Sequence, residues 1–171
     1  MKVVITGAES SGKTTLFESL EKYYGIVGAK EFARNYLLNS NGKYSQKDLL
    51  SIANGQIDAE IAVKKNNPDL VICDTDLLTI KIWSQYKYGN CDKQIHNLLN
   101  SYPADLYLLM KPDIPWEDDP LRENPDDRWD IFGIYKQELA ILGVPFFTIS
   151  GSKKNRLSKS ISIIDKFLLT N

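Results

Sequence analysis

The stretch that decides the fold is Gly7-Ala8-Glu9-Ser10-Ser11-Gly12-Lys13-Thr14. It fits the pattern G-x-x-x-x-G-K-[ST], in which two glycines let the backbone wrap a phosphate group with its N–H groups. The apolar run Val3-Val4-Ile5 precedes it and predicts a buried strand, while Leu16 and Leu20 follow it at helical spacing. A strand, a glycine-bearing loop and a helix in this order predict a phosphate-binding loop at the positive end of the helix.

This phosphate loop, residues 7–14, predicts the nucleotide contacts. The nine residues from Gly7 to Thr15 are the expected ATP-binding set, although GTP would fit the same pattern. Lys13 is expected to neutralise the β- and γ-phosphate oxygens, and the Thr14 hydroxyl is expected to bind Mg²⁺. The alternative is a chance glycine turn before a helix, which the flanking strand and helix patterns disfavour.

Outward from the loop, apolar runs alternate with amphipathic segments along the whole chain. This alternation and the position of the phosphate loop predict one three-layer α/β domain over residues 1–171, with a five-stranded parallel sheet of order 2-3-1-4-5. The long third helix is expected to end at Pro68. The predicted strands are 3–5, 26–27, 70–73, 106–110 and 144–149, and the predicted helices are 13–24, 32–38, 45–65, 77–88, 93–99, 129–142 and 156–169.

Composition excludes several other classes of protein. A length of 171 residues and a hydrophobic fraction of 43% suit a single domain with a core. With 21 Lys and Arg against 22 Asp and Glu, no basic field favours nucleic acid. Two cysteines and one histidine are too few for a Cys-rich or two-His metal site. No apolar run approaches a membrane span and no signal peptide opens the chain, so a cytoplasmic protein is expected.

Acidic residues follow the predicted strand 70–73. Asp74 ends that strand, and the predicted sheet order places it beside the phosphate loop, so it is expected to bind Mg²⁺ together with Thr14. A helix N-cap is the alternative role, which Thr75 or Asp76 would serve equally well. For Asp76 the sequence leaves three roles open, which are a cap, a substrate contact and the general base.

Glu31 and Arg34 follow the predicted second strand and lie three residues apart on a helix, so they share a face. At the carboxyl ends of parallel strands they could hold a substrate hydroxyl and a polar substrate group. An ordinary surface pair is the alternative. The candidates for the general base are Asp76, Glu31 and Asp74, in that order of preference.

The segment from Trp116 to Arg128 is polar and acidic and contains prolines, and it predicts a lid at about 116–133. Arg122 and Arg128 on such a lid could close over the transferring phosphates. Trp116 could stack on a flat aromatic ligand, and a cationic ring would gain from its π face. The alternative is a solvated acidic loop with a tryptophan packed at its base.

Several segments in this order resemble the ribosylnicotinamide kinase domain of NadR-type NAD-biosynthesis proteins, a group of P-loop ATPases. The most specific is Pro112-Asp113-Ile114-Pro115-Trp116-Glu117-Asp118-Asp119, because phosphate binding does not require it. The other segments are residues 7–14, Glu31-Phe32-Ala33-Arg34, Asp74-Thr75-Asp76, and Ile149-Ser150-Gly151 with Arg156.

The resemblance implies a fold like that of the P-loop nucleoside and nucleotide kinases. It also implies ATP-dependent phosphorylation of nicotinamide riboside at its 5′-hydroxyl, giving nicotinamide mononucleotide. It assigns residues 74–76 to metal and substrate, the stretch with Trp116, Asp118 and Asp119 to the nucleoside, and Arg122 and Arg128 to the lid. NadR-type proteins also carry an adenylyltransferase domain, and some a DNA-binding domain; this chain is expected to perform neither function by itself.

Two other functions fit the same residues. One is a P-loop kinase for another small nucleoside or nucleotide, and the other is a non-enzymatic switch whose ATP-bound form binds a protein. An enzyme needs a substrate pocket beside the γ-phosphate, whereas a switch does not.

Overall fold

A computed structural model describes residues 1–67 and 69–170 of the chain. In this part of the chain four strands form one sheet, with the order β2-β1-β3-β4 and parallel pairing throughout. Ile5 of β1 pairs with Asp74 of β2, so the end of β2 lies beside the start of the phosphate loop. The strands are β1 (Lys2–Thr6), β2 (Val71–Asp74), β3 (Leu106–Met110) and β4 (Phe146–Ile149).

Helices cover both faces of this sheet, as predicted for a three-layer α/β domain. Alternate strand residues point to opposite faces: Val4 packs among the residues of α3 to α6, while Val3 and Ile5 pack against α1 and α7. Among the described residues, no helix is long and apolar enough to cross a membrane. The helices are α1 (Lys13–Tyr24), α2 (Phe32–Asn39), α3 (Gln46–Asn66), α4 (Leu77–Tyr88), α5 (Lys93–Ser101), α6 (Arg128–Leu142) and α7 (Lys153–Thr170).

The prediction of five strands is wrong by one. The segment at Ile26 and Val27 forms no strand, and only Ala29 makes an isolated parallel bridge, to Cys73 at the outer edge of β2. Val27 is 69% exposed, so this segment lacks the buried side chains that hold a strand in a sheet. The four strands that do form have the relative order predicted for them.

Two further boundaries differ from the predictions. Residues 111–127 contain neither helix nor strand, but α6 begins at Arg128, so the last part of the predicted lid at 116–133 is helical. The final helix begins at Lys153, three residues before its predicted start. Pro68, the predicted end of the third helix, lies outside the described residues.

Candidate functional site

The phosphate loop is shaped by its two glycines. Gly7 has φ 135°, and a Cβ at this position would lie 2.8 Å from the Met110 carbonyl oxygen, so β3 leaves no room for a side chain. Gly12 has φ 82° and immediately precedes α1, whose N-terminus receives no hydrogen bond from a capping side chain. The first N–H groups of α1 are therefore free of a side-chain cap at the place where a phosphate would bind.

Lys13 lies folded along the loop that it is predicted to serve. Its Nζ donates to the carbonyl oxygens of Gly7 and Ala8, both at 2.9 Å. An ammonium group has three protons to donate, so one remains for an anion in the loop. The arrangement holds the positive charge beside the predicted phosphate site.

Thr14 and Asp74 meet as predicted from the order of the strands. The Thr14 hydroxyl donates to Asp74 Oδ2 at 2.8 Å, whereas Asp74 Oδ1 is buried and has no hydrogen-bond partner in the described part of the chain. Burial raises the pKa of the Asp74 carboxyl, against the opposing effects of Lys13 and the Thr14 hydrogen bond. A hydroxyl beside a carboxylate with an unpartnered oxygen is the kind of oxygen donor set that suits Mg²⁺.

Glu31 precedes α2 and makes no side-chain hydrogen bond to that helix. It is half-buried and lines the same cavity as the phosphate loop. Burial raises the pKa of the Glu31 carboxyl, while the positive charge of Lys13 opposes this rise. A carboxylate that is not engaged by its own helix is available to a ligand in the cavity.

Asp76 serves as the N-cap of α4, one of the three roles that the sequence left open. Its two oxygens accept hydrogen bonds from the Leu78 N–H at 3.0 Å and from the Tyr107 hydroxyl at 2.6 Å. The side chain is 1% exposed and is absent from the described residues that line the cavity. This geometry disfavours Asp76 as the general base, although it was the preferred candidate from the sequence.

The lid is attached to the phosphate loop by hydrogen bonds. Glu9 Oε2 accepts from the backbone N–H groups of Glu123 and Asn124, both at 3.0 Å. Ser10 Oγ accepts from the backbone N–H of Glu117 at 2.9 Å. Two variable positions of the phosphate-loop motif, Glu9 and Ser10, thus provide one of the attachment points of the lid.

Both predicted lid arginines lie against Ser10. Arg122 donates to Ser10 Oγ at 3.4 Å and also to the Glu117 carbonyl oxygen, and Arg128 donates to the Ser10 carbonyl oxygen at 3.2 Å. The two guanidinium carbons lie 5.8 and 5.7 Å from the centre of the Trp116 ring. The positive charges that the sequence predicted for the lid are therefore placed at the edge of the phosphate loop.

Trp116 lies within the lid and not among the described residues that line the cavity. Its ring contacts the lid arginines, its Nε1 donates to Asp118 Oδ1 at 2.7 Å, and it is absent from the described residues that line the cavity. Asp118 is held by this contact. The structure thus places Trp116 as a packing partner within the lid.

Arg34 and Asp119, two predicted substrate contacts, bind each other. Their ion pair has an N–O distance of 2.7 Å and connects α2 to the lid. The Arg34 hydrogen bond is the main cause that lowers the pKa of the Asp119 carboxyl. Arg34 also lines the cavity, whereas Asp119 does not appear among its described lining residues.

One cavity of about 260 Å³ joins the phosphate loop to a second set of residues, which the sequence analysis missed. Tyr44, Trp83 and Tyr86 form an aromatic wall there; the Tyr44 and Trp83 ring centroids are 4.7 Å apart. The α4 positions 79, 82, 83 and 86 all line the cavity, with the i, i+3, i+4, i+7 spacing of one helix face. That spacing was a signal by which the wall could have been found.

The lid also reaches the aromatic wall. The Tyr44 hydroxyl accepts from Trp83 Nε1 at 2.8 Å and from Lys87 Nζ at 2.5 Å, and it donates to Glu123 Oε2 at 3.0 Å. Lys87 pairs with Glu123 at 2.9 Å. Glu123 thus connects the lid to the wall through its side chain and to Glu9 through its backbone.

Arg156 supports the phosphate loop from outside the cavity. It is 4% exposed, donates to the Ser11 carbonyl oxygen at 2.6 Å and to the Lys111 carbonyl oxygen at 3.1 Å, and forms an ion pair with Asp113. In the sequence Arg156 stands out only through the resemblance, because one arginine near the start of an amphipathic helix gives no signal of such a role.

The loop after β1, the helix that follows it and the carboxylate at the end of the neighbouring strand define a P-loop nucleotide-binding protein with a kinase-like fold. The chain belongs to the AAA domain family, which matches residues 2–156.

Sequence comparison confirms the predicted resemblance to NadR. The trifunctional NAD biosynthesis/regulator proteins NadR of Salmonella typhimurium and Escherichia coli are each 31% identical to this chain over 126 residues. The match covers 70% of this chain but 30% of each relative, so the chain spans about a third of their length.

Solved structures show the same fold. A NadR protein in complex with NAD and AMP-PNP has a TM-score of 0.76 at 19% identity, over 98% of this chain and 49% of that one. A NadR protein in complex with NR gives 0.72 at 19% identity, over 98% and 51%. Thymidylate kinase from Ehrlichia chaffeensis gives 0.71 at 17% identity, over 96% and 98%.

Proposed function

We propose that this chain is an ATP-dependent kinase that transfers the γ-phosphoryl group of ATP to the 5′-hydroxyl of nicotinamide riboside, giving nicotinamide mononucleotide. The observation that carries the proposal is a cavity that is lined together by the phosphate loop, by Glu31 and by an aromatic wall. A nucleotide switch needs the first of these, whereas a nucleoside kinase needs all three. The identity to NadR proteins over 126 residues supports the choice of substrate.

In this reaction the positively charged groups lie at the phosphate end of the cavity. Lys13, the N-terminus of α1 and the lid arginines Arg122 and Arg128 stabilise the negative charge on the phosphates. Thr14 and Asp74 would hold Mg²⁺, which when bound neutralises phosphate oxygens. The oxygen of the substrate hydroxyl attacks the γ-phosphorus, the bond to the β-phosphate oxygen breaks, and ADP leaves.

Glu31, rather than Asp76, is the general base in this proposal. Glu31 lines the cavity and has a carboxylate that its own helix does not use, whereas both Asp76 oxygens are bound to protein groups. Accepting the proton of the 5′-hydroxyl requires a carboxylate within reach of the substrate. Asp74 is committed to Thr14 and to the proposed metal.

The aromatic wall is the proposed site for the nicotinamide ring. A flat, positively charged pyridinium gains about 0.5–2 kcal/mol from the face of a tyrosine or tryptophan ring. Neutral nucleosides would keep the stacking but lose the cation–π attraction. Lys87, the cation beside the wall, is paired with Glu123, which moderates its repulsion of a cationic ring.

A second candidate is a kinase for another nucleoside or nucleotide. It is favoured by the fit to whole chains of other kinases, among them the deoxyadenosine kinase of M. mycoides, which shares the fold at 18% identity with a TM-score of 0.62 over 99% of that chain. The aromatic wall would accept other flat bases as well.

The test is a panel of nucleosides given to the purified protein with ATP and Mg²⁺, with products identified by mass spectrometry. Nicotinamide riboside, uridine, cytidine, adenosine, deoxyadenosine and thymidine make up the panel, and Lys13→Ala is the inactive control. We expect the highest kcat/KM for nicotinamide riboside. A higher value for another member would favour the second candidate, and ATP binding without any transfer would favour the switch.

A further inference from the structure

Gln56 lies on α3, outside the cavity, and uses every hydrogen-bonding group of its side chain. It is 2% exposed. Its Oε1 accepts from the Phe32 N–H at 2.9 Å, and its Nε2 donates to the Thr75 carbonyl oxygen and to Glu60 Oε1, both at 3.4 Å. A buried amide with all of its partners in place has one fixed orientation.

The two backbone partners of Gln56 directly follow the proposed base and the proposed metal ligand. Phe32 follows Glu31, and Thr75 follows Asp74. One side chain on α3 thus connects the residue after the proposed base to the residue after the proposed metal ligand. A shift of about 1 Å in such groups can cost about a hundredfold in rate, so a fixed distance between them matters for the reaction.

Each of these neighbours needs an external support. The Phe32 N–H is the first of α2, which the helix itself cannot satisfy. Before Glu31 the chain is fixed to β2 by the backbone bonds Ala29 N to Ile72 O and Asp74 N to Ala29 O, both at 2.8 Å. Gln56 supplies the fixation after Glu31, so the residue is held from both sides.

Thr75 is the other supported residue, and its backbone is unfavourable. It has φ 67°, a conformation that β-branched residues rarely adopt. Such a residue persists only where its surroundings hold it, and the Gln56 amide is one of the groups that do so.

Gly55 provides independent evidence for close docking of α3 at this point. A Cβ on Gly55 would lie 2.3 Å from a ring carbon of Phe32, so the ring rests directly on the α3 backbone. Gly55 therefore packs against the ring of Phe32, and the next residue, Gln56, accepts a hydrogen bond from the backbone N–H of the same Phe32.

We propose that Gln56 is a positioning residue for the phosphoryl transfer, and that it holds the segments of Glu31 and Asp74 at a fixed separation beside the phosphate loop. This inference rests on the proposed kinase function. It predicts that loss of the two backbone hydrogen bonds lowers the rate of the chemical step and leaves substrate binding nearly intact.

The test compares Gln56→Met, which keeps the volume and removes the hydrogen bonds, with Asn54→Ala on the same helix. Asn54 is exposed and its side chain bonds only to the Leu50 carbonyl oxygen among the described contacts. For Gln56→Met we expect kcat to fall about tenfold or more, with KM for ATP and for the riboside changed less than about twofold. Asn54→Ala should leave all three constants near their wild-type values.

Amide hydrogen exchange supplies a readout that does not depend on activity. In Gln56→Met the Phe32 amide should exchange at least about tenfold faster, while the Ala29 and Asp74 amides keep their protection. Unchanged Phe32 exchange, or an unchanged kcat in a folded Gln56→Met protein, overturns the positioning role.

A wild-type protein that phosphorylates no nucleoside would overturn the proposed function instead, and Phe32 exchange would still decide whether Gln56 holds this backbone. Should Gln56→Met fail to fold, Gln56→Glu keeps an acceptor for the Phe32 N–H but loses the amide donor to the Thr75 carbonyl oxygen. A kcat that falls about tenfold with nearly unchanged KM values supports the inference, and a wild-type kcat in that variant overturns it.

Discussion

At the scale of single residues, the sequence predicted the placement of the phosphate-loop residues better than the contacts of the residues assigned to the substrate. Lys13, Thr14 and Asp74 lie where the motif and the strand order place them, because the backbone of the loop and the sheet fix those positions. The roles of Asp76 and Trp116 depended on which side-chain partners meet them. Tyr107, which binds Asp76, comes from a strand 31 residues away, and no local pattern announces such a contact.

The choice between Glu31 and Asp76 is testable by pH. A general base works only when deprotonated, so kcat should rise with pH through the pKa of Glu31, which burial places above the ordinary value of a glutamate. Glu31→Gln should lower kcat about 10²–10⁴-fold and remove the rise of kcat with pH. Asp76→Asn, which keeps the cap acceptor, should change kcat by less than about threefold. A larger loss of kcat in Asp76→Asn than in Glu31→Gln would return the role of base to Asp76.

At the scale of elements, the alternation of apolar runs predicted the order of the sheet but not the number of its strands. The run at Ile26 and Val27 is too short to pair, and Gly28 passes so close to β2 that a Cβ there would lie 2.6 Å from the Ile72 carbonyl oxygen. The cavity-facing side of α4 was present in the sequence as a helical spacing. It was missed because a stripe of large side chains on a helix equally predicts a core face.

The lid can be tested through Trp116. Because its ring packs on Arg122 and Arg128, Trp116→Ala should release the two arginines from the edge of the phosphate loop. We expect ATP affinity and kcat to fall about three- to tenfold, an effect of the size of a cation–π contact, with a smaller change in riboside affinity. Separate titrations with each ligand and a melting curve measure these effects. Trp129→Ala, a matched removal of a tryptophan that is 53% exposed, should leave both affinities unchanged. A selective loss of riboside affinity in Trp116→Ala would restore the stacking hypothesis.

The capping box of α3 gives a second test at this scale, because α3 carries Gln56. Ser45 and Asp48 form the box, and hydrogen bonds from Tyr36 and then from Ser45 lower the pKa of the Asp48 carboxyl to about 2. A pKa below its unfolded value means a contribution to stability that is present above about pH 4 and lost as the pH falls towards 2. Asp48→Asn should therefore lower the melting temperature at pH 7. The difference in melting temperature between the wild type and this variant should shrink as the pH falls from about 4 to 2. Exposed Asp58 on the same helix provides the control variant Asp58→Asn, which should show no such trend. A difference that persists unchanged at pH 2 would contradict the assignment.

At the scale of the whole molecule, the proposed function depends on two regions of one cavity that the chain builds from distant segments. The phosphate loop comes from residues 7–14, whereas the aromatic wall comes from the loop before α3 and from α4. Each region has a local pattern in the sequence, but their union in one cavity follows from the packing of α3 and α4 beside the sheet. The sequence could predict a nucleotide site, and only the folded chain joins it to the aromatic wall.

Glu123 connects these two regions, so it should couple the binding of the two ligands. Its backbone N–H binds Glu9 of the phosphate loop, and its side chain binds Lys87 and the Tyr44 hydroxyl of the aromatic wall. A nucleotide that orders the lid from one end will also order the groups at the other end, and this reduces the entropy that the second ligand must lose. The riboside Kd should therefore fall about fivefold or more when AMP-PNP is present, and the AMP-PNP Kd should fall by the same factor when the riboside is present.

Glu123→Gln removes the negative charge that pairs with Lys87 and keeps the backbone contact to Glu9. The factor by which each ligand lowers the Kd of the other should therefore decrease towards one, with little change in the affinity for AMP-PNP alone. Asp126→Asn removes a charge from an exposed position of the same lid and should leave the coupling intact. Isothermal titration of each ligand with and without the other measures both factors and checks that they agree. If Glu123→Gln retains the wild-type coupling, the Glu123 side chain does not couple the two regions. The ion pair of Arg34 and Asp119, which connects α2 to the lid, would then be the next contact to remove.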